Sequence, residues 1–172
     1  MFEILIIFFL LLINAFFAMS EMAIVSASRP LLRQKAKQGD PRALAALRLA
    51  EDSGNFLSTV QVGITLVGIL AGLYGGASIT EKLGPQLDVF PIIEPYGHAL
   101  AGAIVVVFIT YFSVILGELI PKQLALRHAE SVAMFVARPM SILSKITAPI
   151  VYLFEISGRL ILRLLGMAGA DS

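Results

Sequence analysis

The run Ile4-Leu5-Ile6-Ile7-Phe8-Phe9-Leu10-Leu11-Leu12-Ile13-Asn14-Ala15-Phe16-Phe17-Ala18-Met19 carries no charge and one polar side chain, Asn14. A helix needs about 20 apolar residues to cross the hydrocarbon of a bilayer. With its neighbours the run predicts a membrane helix over residues 3–26. A cleaved signal peptide would begin with positive charge, but Glu3 places an acid there. No small-residue cleavage site precedes Glu21, so the helix is expected to be retained.

Two further runs of this kind follow. Residues 55–78 carry no charge, and 97–118 is broken only by His98 before Glu118. Composition agrees: 58% of the residues are hydrophobic and 15% charged, against about half and about a quarter in soluble domains. A net charge of +1 gives no support to a nucleic-acid partner, and the absence of cysteine excludes disulfides and thiolate metal sites.

A fourth apolar region, 131–165, reads differently. Arg138 and Lys145 are seven apart, and Glu155, Arg159 and Arg163 are four apart, so each set lies on one helical face. Pro139 and Pro149 interrupt it. This predicts C-terminal amphipathic helices lying on the membrane surface, with a fourth spanning helix as the less favoured alternative because of its charges. The expected fold is an all-α integral membrane protein of three transmembrane helices, one domain over 1–172.

Lys and Arg distribution sets the orientation. Residues 27–54 hold six, 78–97 one and 118–172 six. Cytoplasmic loops carry the excess of positive charge. The N-terminus is therefore expected outside, and the first loop and C-terminus in the cytoplasm. Within the basic loop, Gly39 suits a helix C-cap, Asp40 an N-cap and Pro41 a first turn. A cytoplasmic helical hairpin over 29–52 is the expectation. Pro85, Pro91 and Pro95 predict a stiff, irregular outer loop.

Polar residues within the apolar runs converge. Asn14, Ala18 and Glu21 share a face, with Ser20 beside them. Ser58, Gln61, Thr65, Gly68 and Gly72 form a stripe on the second helix. Thr110, Ser113, Gly117 and Pro121 form another on the third. Ser20, Glu21, Ser58, Gln61, Gly117 and Glu118 all fall in the cytoplasmic half.

The motif Gly117-Glu118-Leu119-Ile120-Pro121-Lys122 is the most informative. Proline lacks an N–H and crowds the carbonyl four residues earlier, so the Gly117 carbonyl is expected to be freed beside the Glu118 carboxylate. Hydroxyl, carbonyl and carboxylate oxygens suit a hard cation such as Mg²⁺ or Na⁺, and with no cysteine, zinc or copper fits poorly. The candidate metal ligands are Ser20, Ser58, Thr65, Gly117 and Glu118, with Glu21, Gln61, Pro121 and Lys122 as secondary members. Two plainer readings stay open: Glu118 and Lys122 can form an i, i+4 ion pair, and Gly68, Gly72 and Gly76 can be a packing stripe.

Three stretches carry a resemblance. Ser20-Glu21-Met22-Ala23 before a basic hairpin, Phe56-Leu57-Ser58-Thr59-Val60-Gln61-Val62-Gly63-Ile64-Thr65, and Gly117 to Lys122 together resemble the transmembrane domain of the CNNM/CorC family. The likeness covers essentially the whole chain. It implies three membrane helices, a juxtamembrane helical pair, a homodimer, and a cytoplasmic CBS-domain pair in the full-length protein. It also implies Mg²⁺ export from the cell across the inner (plasma) membrane, with Na⁺ as exchange ion; Mg²⁺ would be bound as substrate. The family's serine and Gly-Glu motifs fall on Ser20, Gly117 and Glu118. Ala18 stands where many members have serine, and Ile64 follows Gly63 where many have asparagine. The form of the second helix also resembles a haemolysin-related bacterial branch linked to polyamine export. The expected function is thus a divalent-cation transporter module, with a polyamine exporter and a non-transporting anchor or sensor for CBS domains as alternatives. No hydrolytic or redox constellation is visible, so an enzyme is not expected.

Overall fold

The computed structural model describes residues 2–89 and 96–166. Every element among them is helical. Helix α1 spans Phe2–Ser26, α2 Arg29–Lys37 and α3 Pro41–Glu51. Helix α4 runs over Ser53–Leu87, α5 over Gly97–Arg127 and α6 over Ala129–Leu164. Helices α1, α4, α5 and α6 are each long and apolar enough to cross a membrane.

Helix α1 is the hub. It packs along α4, along the second half of α5 and against α6. The first half of α5 runs instead beside the end of α4. Phe17 of α1 lies flat against Gly63 of α4; a Cβ there would meet the Phe17 Cζ at 2.5 Å. Gly63 is therefore needed for the α1–α4 approach. Among the described residues, no other atom lies within 4 Å of the space a Cβ would fill at Gly68, Gly72 or Gly76.

The basic hairpin forms as its punctuation predicts. Gly39 adopts φ +93°, the left-handed conformation that ends α2. The Asp40 carboxylate accepts a hydrogen bond from the Arg42 backbone N–H at 2.9 Å and caps α3, which begins at Pro41. Arg29 donates to the Ala50 carbonyl at 3.1 Å and ties the two helices together. Ala43, Ala46 and Ala50 of α3 are buried, and α3 packs on α6. The first part of α6 therefore lies level with the hairpin.

Three expectations need correction. The second and third membrane helices do not end near residues 78 and 118; each passes through a π-helical turn, Gly75–Ile79 and Ile115–Leu119, and continues to Leu87 and Arg127. The wider turn absorbs the register change that otherwise stops a helix. Pro85 accordingly lies inside α4 rather than in an outer loop; Pro91 and Pro95 fall outside the described residues. Residues 131–164 lie in one unbroken helix, Ala129–Leu164, where several helices were expected. Pro139 and Pro149 both sit on its exposed side. Nearby hydroxyls bond backbone oxygens: Ser141 to Ala137 O at 2.7 Å and Thr147 to Leu143 O at 2.9 Å.

The hairpin makes two expectations testable. Gly39→Ala meets open space but forces an L-residue into positive φ, and should destabilise the hairpin by about 1 kcal/mol, read by hydrogen exchange of α2 and α3. The Arg42 N–H holds the Asp40 carboxyl below its ordinary value. A depressed acid stabilises the fold above its unfolded pKa and loses that contribution as pH falls through the folded pKa. Asp40→Asn should keep the cap and abolish this acid dependence in a pH series of the same exchange experiment.

Candidate functional site

The most informative contact links α1 to the turn before Pro121. Pro121 cannot donate to the Gly117 carbonyl, and the structure supplies another donor: Asn14 Nδ2 reaches Gly117 O at 3.1 Å. Both residues are buried. The expectation of a free ligand oxygen is thus corrected: the carbonyl is released from its helix but has a partner. A carbonyl oxygen has two lone pairs, so one acceptor position remains in principle. A Cβ at Gly117 would lie 2.9 Å from Asn14 Nδ2 and would force that amide to shift.

One turn further, Lys122 bridges two acids. Its Nζ lies 2.8 Å from Glu118 Oε1 and 3.5 Å from Glu21 Oε2. The Lys122 side chain is 25% exposed, against 31% for Glu21 and 44% for Glu118. The predicted i, i+4 pair is present, and a second carboxylate from α1 joins it. The junction carries a net charge of −1: two carboxylates against one ammonium.

Glu21 has a second neighbourhood. It lines a cavity of about 850 Å³ together with Ser58, Gln61 and Thr65 of α4 and Glu155 of α6. The remaining walls are apolar, with Leu66, Ile150 and Phe154 among them. The stripe Ser58, Gln61 and Thr65 is brought together as its spacing predicts. It faces Glu155, a residue that the sequence reading placed among surface charges. Its signal was available: Glu155 is a lone acid inside the apolar run 150–156.

The candidate ligands therefore occupy separate places. Gly117, Glu118 and Lys122 meet at the α1–α5 junction, with Pro121 buried beside them. Ser58, Gln61 and Thr65 line the cavity, and Glu21 belongs to both. Ser20 is fully buried and donates to Phe16 O at 2.7 Å. Thr59, assigned no role, is buried and shares a 3.0 Å hydrogen bond with Thr147 of α6. Among the described residues no three His, Cys, Asp or Glu side chains gather to hold a metal ion. Any bound metal would draw on carbonyl, hydroxyl or amide oxygens and water besides carboxylate.

Sequence comparison places this arrangement. The profile of the family described as CNNM, "Cyclin M transmembrane N-terminal domain", matches residues 5–172. The chain belongs to the CNNM family. Among its relatives, the UPF0053 protein sll0260 of Synechocystis is 45% identical over 99% of this chain and 38% of its own length. The UPF0053 protein YugS of Bacillus subtilis is 32% identical over 93% of the chain and 37% of its own. The polyamine export protein of Haemophilus influenzae is 28% identical over 90% of the chain and 36% of its own. The chain thus spans less than two-fifths of the length of each of these relatives. What it forms is a CNNM membrane domain of several apolar helices.

The Asn14 contact predicts a specific weakness. Asn14→Leu would leave the buried Gly117 carbonyl without its donor, and such a loss costs about 1 kcal/mol. The thermal midpoint of the detergent-solubilised protein should fall while its helicity stays unchanged.

Proposed function

We propose that this chain is the membrane module of a cation exporter in the inner (plasma) membrane, with Mg²⁺ as cargo. The observation that carries the reading is the α1–α5 junction. Two carboxylates face one ammonium there, leaving a net negative charge among apolar helices, and the Gly117 carbonyl, held by Asn14, precedes Glu118 in the same turn. Ionised groups in such surroundings are expensive unless a counter-charge or water relieves them. Hard oxygen donors of this kind suit Mg²⁺, and Na⁺ would serve as exchange ion. Glu118, Glu21 and the Gly117 carbonyl would make the contacts, with Ser20 close in sequence and Ser58, Gln61 and Thr65 along the approach.

The cavity favours a second cargo, an aliphatic polyamine. Glu21 and Glu155 offer two carboxylates between apolar walls, which matches a chain of methylenes with an ammonium at each end. A relative carrying the name polyamine export protein supports this reading. Either cargo fits a homodimer with its two-fold axis at the stripe of Gly68, Gly72 and Gly76, where no described residue lies within 4 Å of the space a Cβ would fill. A CBS-domain pair would occupy part of the length that the relatives have beyond this domain.

In the membrane we place α1, α4 and α5 as crossings. The N-terminus lies outside and the hairpin in the cytoplasm, as the basic residues direct. The first part of α6, being level with the hairpin, lies at the cytoplasmic border. Cysteines introduced at Gln38 and Gln86 should label from opposite sides in sealed vesicles; labelling of both from one side overturns this topology.

Titration calorimetry on the full-length protein decides the cargo. With Mg²⁺ as cargo, Glu118→Gln should weaken Mg²⁺ binding at least about tenfold, the worth of one charge-assisted contact, and Glu155→Gln should spare it. With a polyamine as cargo, putrescine should bind and Glu155→Gln should lose it. If neither ligand binds the folded wild type or a folded variant lacking the Lys122 ammonium, both readings fall and an anchoring role takes their place.

A further inference from the structure

The Lys122 ammonium lies between two carboxylates from different helices, and this is more than a structural ion pair needs. Glu118, four residues before it on α5, already neutralises it at 2.8 Å. The longer contact to Glu21, 3.5 Å, reaches across to α1. Glu21 in turn is the acid that α1 presents to the cavity. A cation arriving in the cavity therefore meets a carboxylate already shared with Lys122. The ammonium is a mobile occupant: it sits on a flexible four-carbon stem with rotatable donors and keeps partial contact with solvent.

We propose that Lys122 is a tethered competitor of the cargo, a resident cation that holds Glu21 and Glu118 when the site is empty and gives way when cargo binds. The inference rests on the cation-exporter reading and names the residue that regulates its site. Physical economy supports the role. Without cargo, two carboxylates among apolar helices would be uncompensated, and Lys122 relieves them. With cargo, the same two acids are contested by an ammonium that cannot diffuse away, so its effective concentration at the site is high. A site built this way holds cargo less tightly than its acids alone would, and exchanges one cation for another without ever exposing bare carboxylates. Arginine would be a poorer competitor to dislodge, since its planar fork can hold carboxylates bidentately.

Two measurements on the full-length protein test this. Lys122→Gln should tighten Mg²⁺ binding by about tenfold in calorimetry, the worth of one charge-assisted contact, whereas Lys122→Arg should bind no tighter than wild type. Loss of a purely structural ion pair would weaken binding or leave it alone. The second measurement uses wild type and so does not depend on a variant that folds. Acetylation of Lys122 by acetic anhydride, followed by peptide mass spectrometry, should speed up when Mg²⁺ is added, because the displaced ammonium turns to solvent. For a polyamine cargo the readout is calorimetry, with putrescine expected to bind Lys122→Gln more tightly than wild type, since its own amines would consume the anhydride. If wild type binds Mg²⁺ but Lys122 reactivity stays constant or falls, or if Lys122→Gln binds putrescine no tighter than wild type does, the competitor role is overturned and the exporter reading survives. If neither wild type nor Lys122→Gln binds either ligand, both are overturned. Binding by Lys122→Gln where wild type shows none would be the strongest support for competition.

Discussion

A backbone oxygen in hydrocarbon must find a donor, and in this domain one oxygen has its donor taken away by the chain itself. Pro121 removes the N–H that would have met the Gly117 carbonyl. Gly117 is buried, away from bulk solvent. Asn14, the one polar residue in the run 4–19, replaces it from the neighbouring helix. This contact sets the relation of α1 to α5. With Asn14 on Gly117, Glu21, seven residues and about two turns further along α1, comes level with Lys122, five residues further along α5. The ionic junction thus depends on one amide-to-carbonyl hydrogen bond.

The same constraint explains why some features could be read in the sequence and others could not. The hairpin was legible because its signals are local: Gly39 stops one helix, while Asp40 and Pro41 start the next. The apolar runs were legible because their composition is enough. The ends of α4 and α5 were not, since a π-helical turn that carries a helix past Gly75-Gly76 or towards Pro121 needs support from another helix. Ile109 against Gly75 and Asn14 against Gly117 provide it. The continuity of α6 depended similarly on its prolines facing outward, a fact of docking that spacing does not reveal.

The candidate site divides along the same line. The motif from Gly117 to Lys122 declared its chemistry through Pro121, and the stripe of Ser58, Gln61 and Thr65 through its spacing. That these belong to two places sharing Glu21 could not be seen without the packing of α1 against three neighbours. Glu155 escaped because helical periodicity alone assigns it to a charged outer face together with Arg159 and Arg163. Only the seating of α6 beside α4, with Thr147 against Thr59, turns it towards the cavity.

These contacts also limit how the domain can move. Helix α1 is fixed against α4 by the Phe17 ring on Gly63 and against α5 by Asn14 on Gly117. Sliding α1 would strip a buried carbonyl and wedge an aromatic ring against backbone, and both penalties are steep in a dry interior. Binding and release are therefore easier to accommodate through side chains than through shifts of α1, α4 or α5. Lys122 can move, being partly exposed on a flexible stem. Helix α6 is the other candidate: residues 152–164 are exposed all round, and its polar tie to α4 among the described residues is the Thr59–Thr147 pair. Since α6 supplies Ile150, Phe154 and Glu155 to the cavity, a small displacement of this one helix would change the cavity's width and its second acid together. The ionic junction on the far side of Glu21 would stay in place.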